Sequence, residues 1–155
     1  MTQILIHTDG ASRGNPGQAA YSFLVRKEGS IIKEDAGKLG IMTNNQAEYT
    51  ALVHALEFAL NTHPDAEVII HSDSELMVKQ VQGLYKVKSE ELKPLCLQAR
   101  ELISKMKGSV RLLHVRREQN KDADQLCNDA LDDMWYALKS NNKRFLDQLL
   151  RAFLQ

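Results

Sequence analysis

Ile4-Leu5-Ile6-His7-Thr8-Asp9-Gly10 is the stretch from which the fold of this chain can be read. Ile4, Leu5 and Ile6 are apolar in succession rather than in alternation, which predicts a central strand covered on both faces. The strand runs into Asp9, then Gly10 and the turn-rich Ser12-Arg13-Gly14-Asn15-Pro16-Gly17. A carboxylate at the end of a buried strand is costly unless it is paired or binds a cation. Alone, Asp9 would be read as a turn-former. A functional reading requires other acids that converge on it.

The bulk properties narrow the classes. A chain of 155 residues with 43% hydrophobic composition can bury a substantial core as one domain. Twenty basic and twenty acidic residues balance to zero, which excludes a chain-wide electrostatic grip on nucleic acid and leaves a local patch open. Cys96 and Cys127 lack CxxC spacing, so neither a disulfide framework nor a zinc site is expected. Free thiols and the lack of a signal-like segment lead us to expect a cytoplasmic protein. The apolar runs are too short for a membrane span.

Taken in order, residues 19–27 predict a second strand, and Gly29 turns the chain into a third at 30–39. Short connections favour an antiparallel meander with the third strand at an edge. Thr43-Asn44-Asn45-Gln46-Ala47-Glu48 opens a helix whose Ala47, Ala51, Ala55 and Ala59 recur every fourth residue, with Leu52, Leu56 and Leu60 beside them. It ends near His63-Pro64. A fourth strand is predicted at 66–71, a short helix at 75–82, a basic connector at 84–89 and a longer helix at 90–107. The fifth strand is expected at 109–115, with helix again from Asp122. This order gives an α/β fold, three antiparallel strands and then parallel ones in a five-stranded mixed sheet flanked by helices.

Three further acids could join Asp9. Glu48 follows Asn45 by three residues, the spacing of a capping box, yet lies on the side of Ala51, Leu52 and Ala55 that should face the sheet. The capping and ligand roles compete for one carboxylate. Asp73 ends the run Val68-Ile69-Ile70-His71-Ser72 as Asp9 ends the first strand, and its bland reading is an N-cap for the helix from Glu75. Two adjacent parallel strands ending in Asp place both carboxylates at the sheet edge where open α/β folds bind ligands. Asp124 sits in a helical first turn, where acids usually just complement the dipole. Of the pair, Asp122 is assigned to solvent and Asp124 to the packed side, beside Ala123 and Leu126. Four converging carboxylates repel unless divalent cations hold them, and an all-oxygen set suits magnesium or manganese.

Four ordered blocks, TDGASRGNPG, TNNQAEYTAL, IHSDSELMVKQV and HVRREQNKDADQL, resemble the type I ribonuclease H family over about residues 2 to 131. The chain is accordingly read as a catalytic domain at 1–131 and a C-terminal helical extension at 132–155. The resemblance implies a five-stranded mixed sheet and endonucleolytic hydrolysis of the RNA strand of RNA–DNA hybrids, leaving 5′-phosphate and 3′-hydroxyl ends. It implies two magnesium ions (manganese as the alternative) on Asp9, Glu48, Asp73 and Asp124. By the same resemblance Asp9 bridges both ions, Asp124 serves the water-side ion, and Glu48 and Asp73 serve the other. Asn15, Asn44 and Asn45, with Ser12 nearby, match positions that read 2′-hydroxyls. Thr43 matches one that holds a DNA-strand phosphate.

Two departures stand out. Many family members carry a mobile loop histidine before the last acid. Here His114 falls in a strand context, LLHV, and is expected to pack, so Arg117 is preferred as the helper of turnover. The basic protrusion of some bacterial members is cut short at Lys86-Val87-Lys88, which implies weak, salt-sensitive hybrid binding. The competing reading is a hybrid-binding module that has lost catalysis; retention of four mutually repelling acids argues against it. A junction resolvase or integrase-like nuclease would leave the asparagines unexplained. The tail carries Trp135, Leu138, Phe145, Leu146, Leu149, Leu150, Phe153 and Leu154 at helical spacing. It is expected to pack on the domain of a monomer, with pairing of two chains as the alternative.

Overall fold

The computed structural model describes residues 2–133 and, beyond them, positions 144, 147, 148, 150, 151 and 154. Of the apolar stripe expected in the tail, Leu150 and Leu154 fall among the described residues, both exposed; the rest of it lies outside them. Three antiparallel strands come first: β1 (Gln3–Gly14), β2 (Gly17–Lys27) and β3 (Ser30–Met42). Then follow α1 (Asn44–Thr62), β4 (Glu67–Ser72), α2 (Glu75–Val81), α3 (Lys93–Lys105), β5 (Ser109–His114), a 3-10 turn (Arg117–Gln119) and α4 (Lys121–Leu131). The sheet order is β3-β2-β1-β4-β5, with β4 parallel to both β1 and β5. The expected mixed sheet is present, with β3 at an edge.

β1 is longer than its apolar run. It was expected to give way to a turn after Gly10, yet it continues to Gly14, because β2 pairs with it from Leu5↔Arg26 to Gly14↔Gly17. On its other side β4 pairs only from Gln3↔Glu67 to His7↔His71. Asp9 thus sits just past the point where the sheet loses a neighbour, inside a strand rather than at its end. The hairpin between β2 and β3 is tight: Glu28 and Gly29 both have positive φ, at 51° and 79°, as a primed two-residue turn needs. The second long helix begins at Lys93 rather than at 90, with Pro94 in its first turn, where its missing N–H costs nothing.

The main core lies between the sheet and α1. Ile4, Ile6, Phe23, Val25, Val68 and Ile70 meet Leu52, Leu56 and Ala59 there. Burying each Ile or Leu side chain contributes about 1.5–3 kcal/mol. On the opposite face α4 approaches closely through small residues, Ala20 and Ala36 against Cys127 and Ala130. Ser22 Oγ donates to Ala123 O at 2.5 Å and Cys127 Sγ to Ala20 O at 3.3 Å, so polar contacts fix this helix in register with β2.

Candidate active site

α1 is delivered to the site by its own N-terminus. Thr43 is the N-cap: its hydroxyl accepts from Gln46 N at 3.2 Å, and the Gln46 side chain accepts from Thr43 N at 2.9 Å. This reciprocal box replaces the Asn45–Glu48 one anticipated from spacing. The Glu48 carboxylate is therefore not spent on capping. It is buried, and its Oε2 has no hydrogen-bond partner among the described residues. The same substitution of roles occurs at α2, where Ser74, not Asp73, is the N-cap and accepts from Met77 N at 3.3 Å.

Asp9, Glu48 and Asp73 each present a carboxylate oxygen within 4.8 Å of the other two. Asp124, from α4, lies outside that trio but lines the same cleft, with an oxygen 3.8 Å from an Arg117 nitrogen. Asp122 is on the surface, ion-paired with Arg26 at 2.5 Å, in the solvated role expected of it. Burial, and then the Asp73 carboxylate, push the Asp9 carboxyl from 3.8 to about 7. Burial, followed by Asp9, drives Glu48 well above the ordinary carboxylate range. Asp73 is raised, chiefly by burial. An all-oxygen set of mutually repelling acids, Asp9 and Glu48 buried and Asp73 partly so, fits hard divalent cations and offers nothing to a thiophilic metal.

Residues 7–130 match the family model described as Reverse transcriptase-like. Ribonuclease HI of Halobacterium salinarum is 43% identical over 126 residues, covering 81% of this chain and 62% of that protein. The crystal structure of RNase H1 from the same archaeon superimposes with a TM-score of 0.80 at 39% identity, covering 84% of this chain and 98% of that one. The chain belongs to the type 1 ribonuclease H family. LC11-RNase H1, solved in complex with RNA/DNA hybrid, is 39% identical with a TM-score of 0.79, over 84% of this chain and 97% of that one. The chain spans under two thirds of the Halobacterium protein's length, and 36% of a bifunctional Mycobacterium tuberculosis protein that is 37% identical to it.

Within this ribonuclease H fold the acids sit in a cleft of about 570 Å³. One flank carries Ser12, Arg13, Asn44 and Asn45; the other carries His114, Arg116 and Arg117. Asn44 Oδ1 accepts from Ser12 N at 2.8 Å and from Ser12 Oγ at 3.0 Å. A backbone N–H needs an acceptor, so these bonds turn the amide oxygen inward and leave its NH₂ for a ligand. Asn15, which is exposed, and Thr43 are absent from the lining of the cleft. Asn15 Oδ1 accepts from Asn44 N at 3.1 Å, and Thr43 caps α1.

His114 corrects an expectation. It is the last residue of β5, as its strand context implied, but its side chain is exposed and lines the cleft instead of packing. Arg117 is also exposed, in the 3-10 turn.

Two positioning residues escaped the sequence reading. Gly10 lies against the first turn of α1 so closely that a Cβ would sit 2.3 Å from Glu48 N. Asn120 is buried at 1% exposure; its Nδ2 donates to Thr8 O at 2.8 Å, and its own carbonyl accepts from Asp124 N at 3.1 Å. It thereby ties the residue before Asp9 to the turn that carries Asp124. An Asn ahead of a helix looks like any cap, so sequence offered no signal for this long-range role.

Proposed function

We propose that this chain is an endoribonuclease that hydrolyses the RNA strand of RNA–DNA hybrids, leaving 5′-phosphate and 3′-hydroxyl ends. The observation that carries the reading is the trio of carboxylate oxygens within 4.8 Å, one from each of Asp9, Glu48 and Asp73, in a cleft it shares with Asp124. These four acids would hold two divalent ions, magnesium being the best fit and manganese the alternative. The ions would supply positive charge on both sides of the scissile phosphate and acidify the attacking water.

The chain's own groups do the rest. Asp9, central among the acids, orders the site from a strand that cannot shift without breaking its pairing to β2. The Asn44 NH₂, oriented by Ser12, donates to a 2′-hydroxyl, the group that separates RNA from DNA along the backbone. Asn45 lines the same flank, and Asn15 holds the start of α1 by accepting from the Asn44 N–H. Arg117 and His114, both on the opposite flank, are within the cleft to assist turnover and product release.

A binding module without catalysis is the second reading. It leaves the unpartnered Glu48 Oε2 and the raised carboxyls of Asp9 and Asp73 without a purpose. We take the domain as a cytoplasmic monomer. The test is incubation with end-labelled RNA–DNA hybrid, duplex DNA and duplex RNA, in magnesium and in chelator. Cutting of hybrid alone, in magnesium alone, is the expected result. Binding of hybrid without any cutting in magnesium or manganese would favour the second reading.

A further inference from the structure

We propose that Arg13 is a further substrate-positioning residue, holding a phosphate of the RNA strand beside the one that is cut, with Asp132 anchoring its guanidinium. The inference rests on the hybrid-nuclease reading above and names a contact within it. Asp9, Ala11 and Arg13 alternate onto one face of β1, because side chains two apart in a strand point the same way. Asp124, Asn128 and Asp132 recur every fourth residue and so lie along one side of α4 and its C-cap. The two rows run side by side. At one end Asp9 and Asp124 meet among the acids; at the other Arg13 Nη1 meets Asp132 Oδ1 at 2.6 Å. Asn128 lines the cleft between them, with Leu131.

Arg13 is half exposed, at 51%, and lines the same cleft as the acids. Asp132 occupies one of its nitrogens, which fixes the side chain's direction and leaves further N–H donors of the planar fork for an anion. It lies four residues beyond Asp9, roughly 13 Å along β1, so the phosphate it meets is a neighbour of the scissile one. A polyanionic strand drawn across an acid-lined cleft needs cations beyond the acids on both sides. Arg116 and Arg117 supply them on the β5 side; Arg13 is the cation among the described residues lining the other side.

The competing explanation is an ion pair that only clips the end of α4 to β1, so the test needs a readout that a clip would not move. Arg13→Ala should raise KM for hybrid roughly five- to tenfold while kcat stays within about twofold. The slope of log KM against log salt should fall by roughly one phosphate contact, and Arg13→Lys should restore most of it. Methylphosphonates placed singly along the RNA strand should find one position, beside the cut, that weakens the wild type and does not weaken Arg13→Ala further. The same scan on the DNA strand should find none that behaves so. With wild-type cleavage intact, an unchanged KM and salt slope in Arg13→Ala would overturn this contact and leave the nuclease reading standing. So would a matching position on the DNA strand only. A wild type that neither cuts nor binds hybrid would overturn both.

Discussion

Gly10 and Ala47 touch through their backbones: a Cβ built on Gly10 would lie 2.2 Å from the Ala47 carbonyl carbon and 2.3 Å from its oxygen. No side chain tolerates that distance, and both neighbours are main chain, fixed by a strand and a helix. The absence of a side chain at Gly10 is therefore what lets α1 settle on β1 far enough for Glu48 to reach Asp9. Gly10→Ala should push the helix start outward. We expect a destabilisation of about 1–3 kcal/mol, the usual cost of forced overpacking, and a loss of cleavage of at least tenfold. Denaturant melts paired with magnesium titrations of activity check it. A folded variant with near-normal magnesium dependence would show that the close approach does not set the site.

Asp73→Asn should abolish cleavage while leaving the melting temperature unchanged or raised. The carboxylate stands within 4.8 Å of two others, so removing its charge relieves repulsion that the metal-free protein bears. Near-normal hybrid cleavage in magnesium by the purified variant would remove Asp73 from the site.

Among the groups that make stability depend on pH, with Glu48 and Asp73 raised as well, Asp9 and His7 work against each other. The Asp9 carboxyl rises from 3.8 to about 7, so the native state keeps a proton that the unfolded chain has lost; this contribution declines as pH rises through that interval. His7, lowered from 6.5 to about 4 mainly by burial, stays neutral in the native state; its contribution is lost as pH falls through that interval. Comparing wild type with Asp9→Asn removes the first, together with the part of the Glu48 rise that Asp9 causes. In chelator, the variant's advantage in melting temperature should grow from about pH 4 to about pH 7, and saturating magnesium should shrink it. A pH-independent offset between the two curves would contradict the assignment.

Arg117 and His114 both project into the cleft, so neither alanine variant should shift the melting temperature by more than a degree or so, surface substitutions typically changing stability by less than about 0.5 kcal/mol. Multiple-turnover cleavage should separate them, with Arg117→Ala slowing it the more, since Arg117 also faces Asp124. A larger turnover defect in His114→Ala, with its stability intact, would transfer the role to the histidine.

Asn120→Ala should behave as a buried deletion. Losing the bond to Thr8 O leaves a buried carbonyl unpaired, which costs about 1–3 kcal/mol. Cleavage per folded molecule should fall as well, since the Asp9 and Asp124 backbones lose their tie. Retention of full specific activity at a lowered melting temperature would confine Asn120 to a structural role.

Much of this protein is written in local pattern. The consecutive apolar residues of Ile4–Ile6 and Val68–Ile70 announce central parallel strands, the Ala47–Ala59 stripe announces the helix that covers them, and Asp9 and Asp73 stand just past the two apolar runs. Burial and periodicity are properties of short windows, so a single chain displays them. Which carboxylate does what was decided elsewhere. Thr43 and Asn45 are both acceptable caps, and Ser74 and Asp73 are too; a shift of one or two residues determines whether Glu48 and Asp73 are spent on their helices or left for a ligand. The length of β1 past Asp9 depends on β2, the approach of Glu48 on the missing side chain of Gly10, and the orientation of the Asn44 amide on Ser12 in β1. Each of these is a contact between residues distant in the chain, where hydrogen-bond donors must find acceptors and atoms cannot overlap. Those demands arise only once the elements are packed against one another.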